Sequence, residues 1–152
     1  MTTETDTSLE LGDIQAAALM PRPNPYAGAY LALRIDDRHA GRELLQRLIP
    51  LLEPVSSFDP GRPVSLGVGL SFAGLEAIGV PAESLATFPS EFRQGMAARA
   101  AYIGDIGESA PENWEAPLGS KDVHIVVAAL SAMLLLLAHR LLFARRGGWR
   151  HA

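Results

Sequence analysis

An α+β fold follows from three segments of this chain and from their order. Val64–Ser71 sets Val64, Leu66, Val68 and Leu70 against Ser65, Gly67, Gly69 and Ser71, a strict period of two that marks a strand. Val123–Leu130 is a near-continuous apolar run rich in β-branched residues, which reads as a buried central strand. Between an earlier strand at Tyr30–Ile35 and Val64 lies an amphipathic helix over Arg38–Ile49. The order strand, helix, strand, long insertion, strand, helix is a ferredoxin-like βαββαβ plan lacking its last strand, with a long polar insertion.

Each element has a local reason. Residues 1–10 are polar and acidic and predict a disordered leader. They lack the basic and apolar regions of a secretory signal, so the cytoplasm is the default compartment. Asp13–Met20 is Ala-rich and reads as a short strand, broken by the prolines of Pro21–Pro25. Tyr30–Ile35 alternates moderately. Asp36 or Asp37 then fits an N-cap, its carboxylate accepting from free helix amides. Leu44, Leu45, Leu48 and Ile49 form the apolar stripe of the helix and are expected to be buried against the apolar face of Val64–Ser71. Pro50 lacks the donor that a continuing helix needs. Gly61–Pro63 is a turn, and Phe72, Leu75 and Ile78 fit a short helix capped by Gly79 and blocked by Pro81.

The insertion, Phe88–Trp114, is polar and irregular but carries Phe88, Phe92, Tyr102 and Trp114. Long ordered loops are usually functional or disordered, and disordered segments are poor in aromatics. One or two helical turns are expected around Glu91–Tyr102. Ser131–Arg146 is the last helix candidate.

Composition excludes several chemistries. With no cysteine there are no disulfides, thiolate metal sites or cysteine nucleophiles. A net charge of −4 gives no reason to expect nucleic-acid binding. The charge is unevenly spread: no acid follows Asp122, where Arg140, Arg145, Arg146 and Arg150 lie.

Several phrases together resemble one enzyme family. They are GDIQ at Gly12–Gln15, VSLGVGLSFAGLEAIGVP at Val64–Pro81, EFRQGMAARA and IGDIGESAPENW within the insertion, and DVHIVVAAL at Asp122–Leu130. In this order they resemble the N-terminal half of bacterial dye-decolourising (DyP-type) haem peroxidases, over Leu9–Leu130. Ala16 departs from the glycine that usually follows the DIQ triplet, and the likeness fades after Leu130. The resemblance implies two ferredoxin-like halves with haem b held mainly by the second. This chain would then be one half of a DyP-type fold: a leader at 1–10, the ferredoxin-like half at 11–130, and a divergent apolar helix and basic tail at 131–152.

No residue earns a catalytic or metal-binding role. The distal aspartate of the family lies in a Gly-x-x-Asp-Gly motif that is absent here. Asp105, within Gly104–Gly107, follows its glycine directly and reads as a turn residue or helix terminator. The proximal histidine and distal arginine of the family lie further downstream. Among the four histidines, His124 stands near the start of the buried strand, where a structural role outweighs haem ligation. His39 and His151 read as solvated, and His139 adjoins Arg140. No two histidines have metal-ligand spacing. Cofactor-binding residues stay unassigned: Arg93 and Arg99 either pin the loop or, in a longer relative, approach the haem propionates. Ser84, Ser109 and Ser131 lack an acid–His pair.

The tail is apolar from Ile125 to Ala138 except for Ser131, and holds LLLL at Leu134–Leu137. That run is shorter than the roughly 20 residues of a spanning helix. It reads as a buried strand and an over-apolar helix, as in a truncated or frame-shifted copy of a longer gene. The expectation is a fragment of a haem-dependent peroxidase acting on dyes or phenols with hydrogen peroxide, inactive alone and binding no haem specifically. The rivals are a non-catalytic α+β assembly module and a tail-anchored membrane protein. Small-molecule substrates are implied for the full-length family. For this chain, self-association is expected through an open sheet edge and the apolar tail.

Overall fold

The structure, a computed structural model, describes residues 9–21 and 27–131. Three strands, β1 (Ala27–Leu33), β2 (Val64–Leu70) and β3 (Ile125–Ser131), form one sheet in the order β1-β3-β2. The strand ends give the directions. The His124 amide donates to Leu33 O at the end of β1, and the Ser71 amide donates to His124 O beside the end of β2. β3 therefore runs antiparallel to both neighbours. Its placement between the two earlier strands explains its apolar sequence: Ile125, Val127, Ala129, Leu130 and Ser131 are all buried.

The helices are α1 (Ala16–Leu19), α2 (Arg38–Leu48), α3 (Phe72–Ala77), α4 (Ala82–Ala86), α5 (Ser90–Ala98) and α6 (Ala100–Ile103). The chain divides into two compact units. Unit 1 takes residues up to Ala29, Leu51–Gly67 and those from Ala129; unit 2 takes Tyr30–Pro50 and Val68–Ala128.

In unit 1 the segment Ile14–Ala16 is fastened to Glu53–Val55. Gln15 forms an antiparallel bridge with Pro54, the Ala16 amide donates to Glu53 O at 2.7 Å, and the Val55 amide donates to Ile14 O. Asp13–Met20 is thus not the strand expected of it. Pairing stops at Gln15, and Ala16–Leu19, with no β-branched side chain, closes a single helical turn. Ala16 is 1% exposed.

In unit 2, α2 begins where Asp37 accepts from the Ala40 amide at 2.8 Å. It ends at Leu48, and a 3-10 turn at Ile49–Leu51 carries Pro50. The expected stripe is corrected at its end. Leu44, Leu45 and Leu48 are half-buried, but Ile49 is 62% exposed, because the tightened turn rotates it off the face that the α-helical repeat would give it. Arg42 donates from Nε to Ile78 O at 2.7 Å, so α2 satisfies a carbonyl at the end of α3.

Strand bounds also shift. β1 begins three residues before Tyr30 and stops at Leu33, and β3 begins at Ile125. Ser71 leaves β2 to cap α3, its hydroxyl accepting from the Gly74 amide at 3.0 Å. Gly79, at φ +78°, ends that helix in the left-handed region where a side chain is strained. Ser131, read above as the first residue of a helix, closes β3 and donates to Pro63 O at 2.8 Å. The leader up to Ser8, the remainder of the 131–152 segment, His139 and His151 lie outside the described residues. Among the described residues no helix is long and apolar enough to cross a membrane.

Candidate functional site

His124 is the one histidine that the sequence placed near the sheet, and its surroundings decide what it can do. The Ile35 amide donates to its Nδ1 at 2.9 Å. A nitrogen that accepts carries no proton, so the imidazole is the neutral Nε2–H tautomer. Its backbone is engaged as well, through Leu33 O and the Ser71 amide. Gly74 packs directly on His124 O; a methyl group there would overlap the oxygen. The residue therefore ties the exits of β1 and β2 to the start of α3. The signal was present in the sequence as a polar residue at the mouth of an apolar run, but its partner Ile35 is 89 positions away.

Around this knot the insertion is ordered. Phe72 of α3 meets Phe92 of α5 edge-on at 6.2 Å, and Phe92 meets Phe88 at 5.2 Å. Gly95, at φ +74°, kinks α5. Gly104, at φ +90°, ends α6, and the Asp105 amide then donates to Ala100 O. Asp105 is thus the residue after a helix terminator. Trp114 Nε1 donates to Ser109 O at 2.8 Å and Asn113 Nδ2 to Gly107 O at 3.0 Å, pinning the end of the loop.

Arg93 and Arg99 fall in different surroundings. Arg93 borders an open depression of ≈ 260 Å³ with Phe72, Glu76 and Leu85. Arg99 stacks on the Tyr102 ring at 5.2 Å. Both act on Glu91, whose carboxyl is held below its usual range, first by its own backbone amide and then by the Ser90 hydroxyl at 2.9 Å. Arg99 and Arg93 add to this at longer range.

Unit 1 contains a cleft of ≈ 240 Å³ lined by apolar residues such as Ala16, Met20 and Phe58 together with Asp59 and Arg62. Glu53 is 5% exposed. Its Oε1 accepts from the Asp59 amide at 2.7 Å, and its Oε2 lies 3.8 Å from Arg62.

The residues described do not fit haem. An iron ligand needs an unprotonated imidazole nitrogen facing open space, and the His124 ring, accepting at Nδ1, carries its proton on Nε2. The two cavities described above fall below the roughly 300–1,000 Å³ that holds drug-sized ligands. Among the described residues no three His, Asp or Glu side chains gather into a metal site.

A scan against protein-family models and a search of the curated proteins both find no match. Solved structures do match. A decolorizing peroxidase (DyP) from Auricularia auricula-judae superposes with a TM-score of 0.70 at 21% identity, over 89% of this chain and 29% of that one. A further structure of a fungal DyP-type peroxidase from the same organism gives 0.71 at 21% identity, over 92% and 30%. A dye-decolorizing peroxidase engineered in its heme pocket for asymmetric sulfoxidation gives 0.71 at 18%, over 91% and 30%. The fold is that of part of a DyP-type peroxidase. The chain spans about three-tenths of the length of the structures it matches.

Proposed function

We propose that this chain is one portion of a DyP-type haem peroxidase, and that it serves as scaffold rather than as the seat of the chemistry. The observation that carries this reading is the match over about nine-tenths of this chain against three-tenths of each neighbour. The strand order β1-β3-β2, with β3 antiparallel to both, supports a ferredoxin-like half whose fourth strand is not among the described residues. In the whole protein the substrates would be dyes or phenols and the oxidant hydrogen peroxide. Haem b would be held by parts of the fold that this chain does not span. The sheet and the His124 knot give rigidity, and among the described residues no acid–base pair is set up for peroxide cleavage. A second reading, a non-catalytic assembly module that pairs with another chain, keeps the same fold.

The test is reconstitution of the purified chain with haem, followed by dye oxidation with hydrogen peroxide. The expected result is no saturable binding at one haem per chain and no turnover above free haem. A sharp Soret band at that stoichiometry, lost in His124→Ala, with activity well above the free-haem control, would place the chemistry in this chain and refute the scaffold reading.

A further inference from the structure

We propose that the knot at His124 is an acid-released latch: when the imidazole takes a second proton, the start of β3 lets go of the exit of β1. The Ile35 amide donates to His124 Nδ1 at 2.9 Å in a part-buried site. A neutral imidazole offers one acceptor nitrogen, and this contact takes it. The imidazolium has a hydrogen on both nitrogens and offers none. Protonation therefore sets one N–H against another, and the ring must turn away from Ile35. The amide is left without its acceptor where an unmade bond is unfavourable.

The surroundings carry the ring's movement outward. The backbone of His124 is fixed on both sides, its amide donating to Leu33 O at 2.9 Å and its carbonyl accepting from the Ser71 amide at 3.1 Å. A Cβ at Gly74 would overlap His124 O, so the start of α3 sits against this residue without slack. Beyond Ile35, a Cβ at Gly41 of α2 would lie 2.8 Å from Ile35 Cγ2, so the release of Ile35 also loosens the seat of α2.

The charged groups of the elements packed on His124 are Arg34 and Asp36 after β1, Lys121 and Asp122 before β3, and Glu76 of α3; β2 has none. Arg34 is engaged by Asp36 at 2.7 Å and lies 3.7 Å from Asp122. Among the described residues no carboxylate is bonded to the ring, so none holds an imidazolium in the place of the neutral form. In the unfolded chain a histidine takes its proton near the ordinary value of about 6.5 and has no such bond to lose. Stability falls with pH wherever the unfolded state binds more protons. The contribution of the latch is therefore fully present above about pH 6.5 and is lost as pH drops below it.

Urea unfolding of the full chain at about pH 8 and about pH 5.5, followed by circular dichroism, tests this beside His124→Asn. The variant keeps an acceptor oxygen at the δ position and cannot titrate. The other histidines and the carboxylates titrate in both chains, so the difference between them belongs to His124. The midpoint of the native chain is expected to fall by about 0.5 M more than that of the variant. In an NMR titration of the native chain, the Ile35 amide resonance should move together with the protonation of the His124 ring. Equal falls of the midpoint in the two chains would overturn the latch, and so would an Ile35 resonance that stays in place while the ring titrates. If His124→Asn does not fold, the NMR titration decides alone.

Discussion

Replacing Gly74 by alanine tests whether the knot at His124 holds the fold together. A Cβ at this position overlaps His124 O and lies 2.8 Å from His124 C and 3.1 Å from its Cα. All three are backbone atoms, so no rotamer change relieves the clash. The start of α3 must withdraw, which stretches the Ser71 amide from His124 O, now 3.1 Å away. Overpacking costs about 1–3 kcal/mol. An unmade backbone hydrogen bond in a part-buried site adds about 1–3 kcal/mol. The better helix propensity of alanine returns about 1 kcal/mol. The expected loss is therefore about 1–5 kcal/mol, centred near about 3. Urea unfolding followed by circular dichroism measures it, with a midpoint lowered by about 1 M or more at the slopes of small proteins. Gly69→Ala is the control, since a Cβ there meets nothing within 4 Å; it should shift the midpoint little. If Gly74→Ala unfolds at the same urea concentration as the native chain, the close approach of α3 to His124 is not a constraint on the fold.

Further expectations concern single contacts. His124→Ala strands the part-buried Ile35 amide and should cost about 1–3 kcal/mol; in the native chain, nitrogen NMR shifts should report the Nε2–H tautomer, and an Nδ1–H signal would contradict the knot. Arg62→Ala leaves the Glu53 carboxylate buried with its long-range partner gone. Because Arg62 is itself 39% exposed, the cost should be about 1–2 kcal/mol and not the larger penalty of a fully buried pair, and Glu53→Gln in the same chain should recover most of it. Glu91 should titrate below its ordinary value of 4.5. A depressed folded value means that its contribution to stability is fully present above 4.5 and is lost as pH falls through the folded value. Ser90→Ala should move the Glu91 carboxyl titration, followed by carbon NMR, upward; an unmoved titration would count against the hydroxyl contact.

The sequence determined whatever depends on neighbours along the chain. The period-two pattern of β2, the Asp37 cap, the stop at Pro50, the Gly79 terminator and the apolar run of β3 are each set by backbone sterics or by burial within a few residues, and each was legible. The phrases that resemble DyP-type peroxidases pointed to the fold that the superposition shows. Tertiary structure decided the rest. Asp13–Met20 looks like a strand by composition, yet only its last bridging residue, Gln15, pairs, because the partner offered by Pro54 is a single position. Ile49 lies on the apolar stripe of an ideal helix and leaves it when the turn tightens at Pro50. Ser131 closes a strand because Pro63 O is there to accept from it. The role of His124 shows the reason most plainly: whether an imidazole is a ligand or a strut depends on what meets its Nδ1. That partner, Ile35, is 89 residues away and is brought there only by the pairing of β1 with β3.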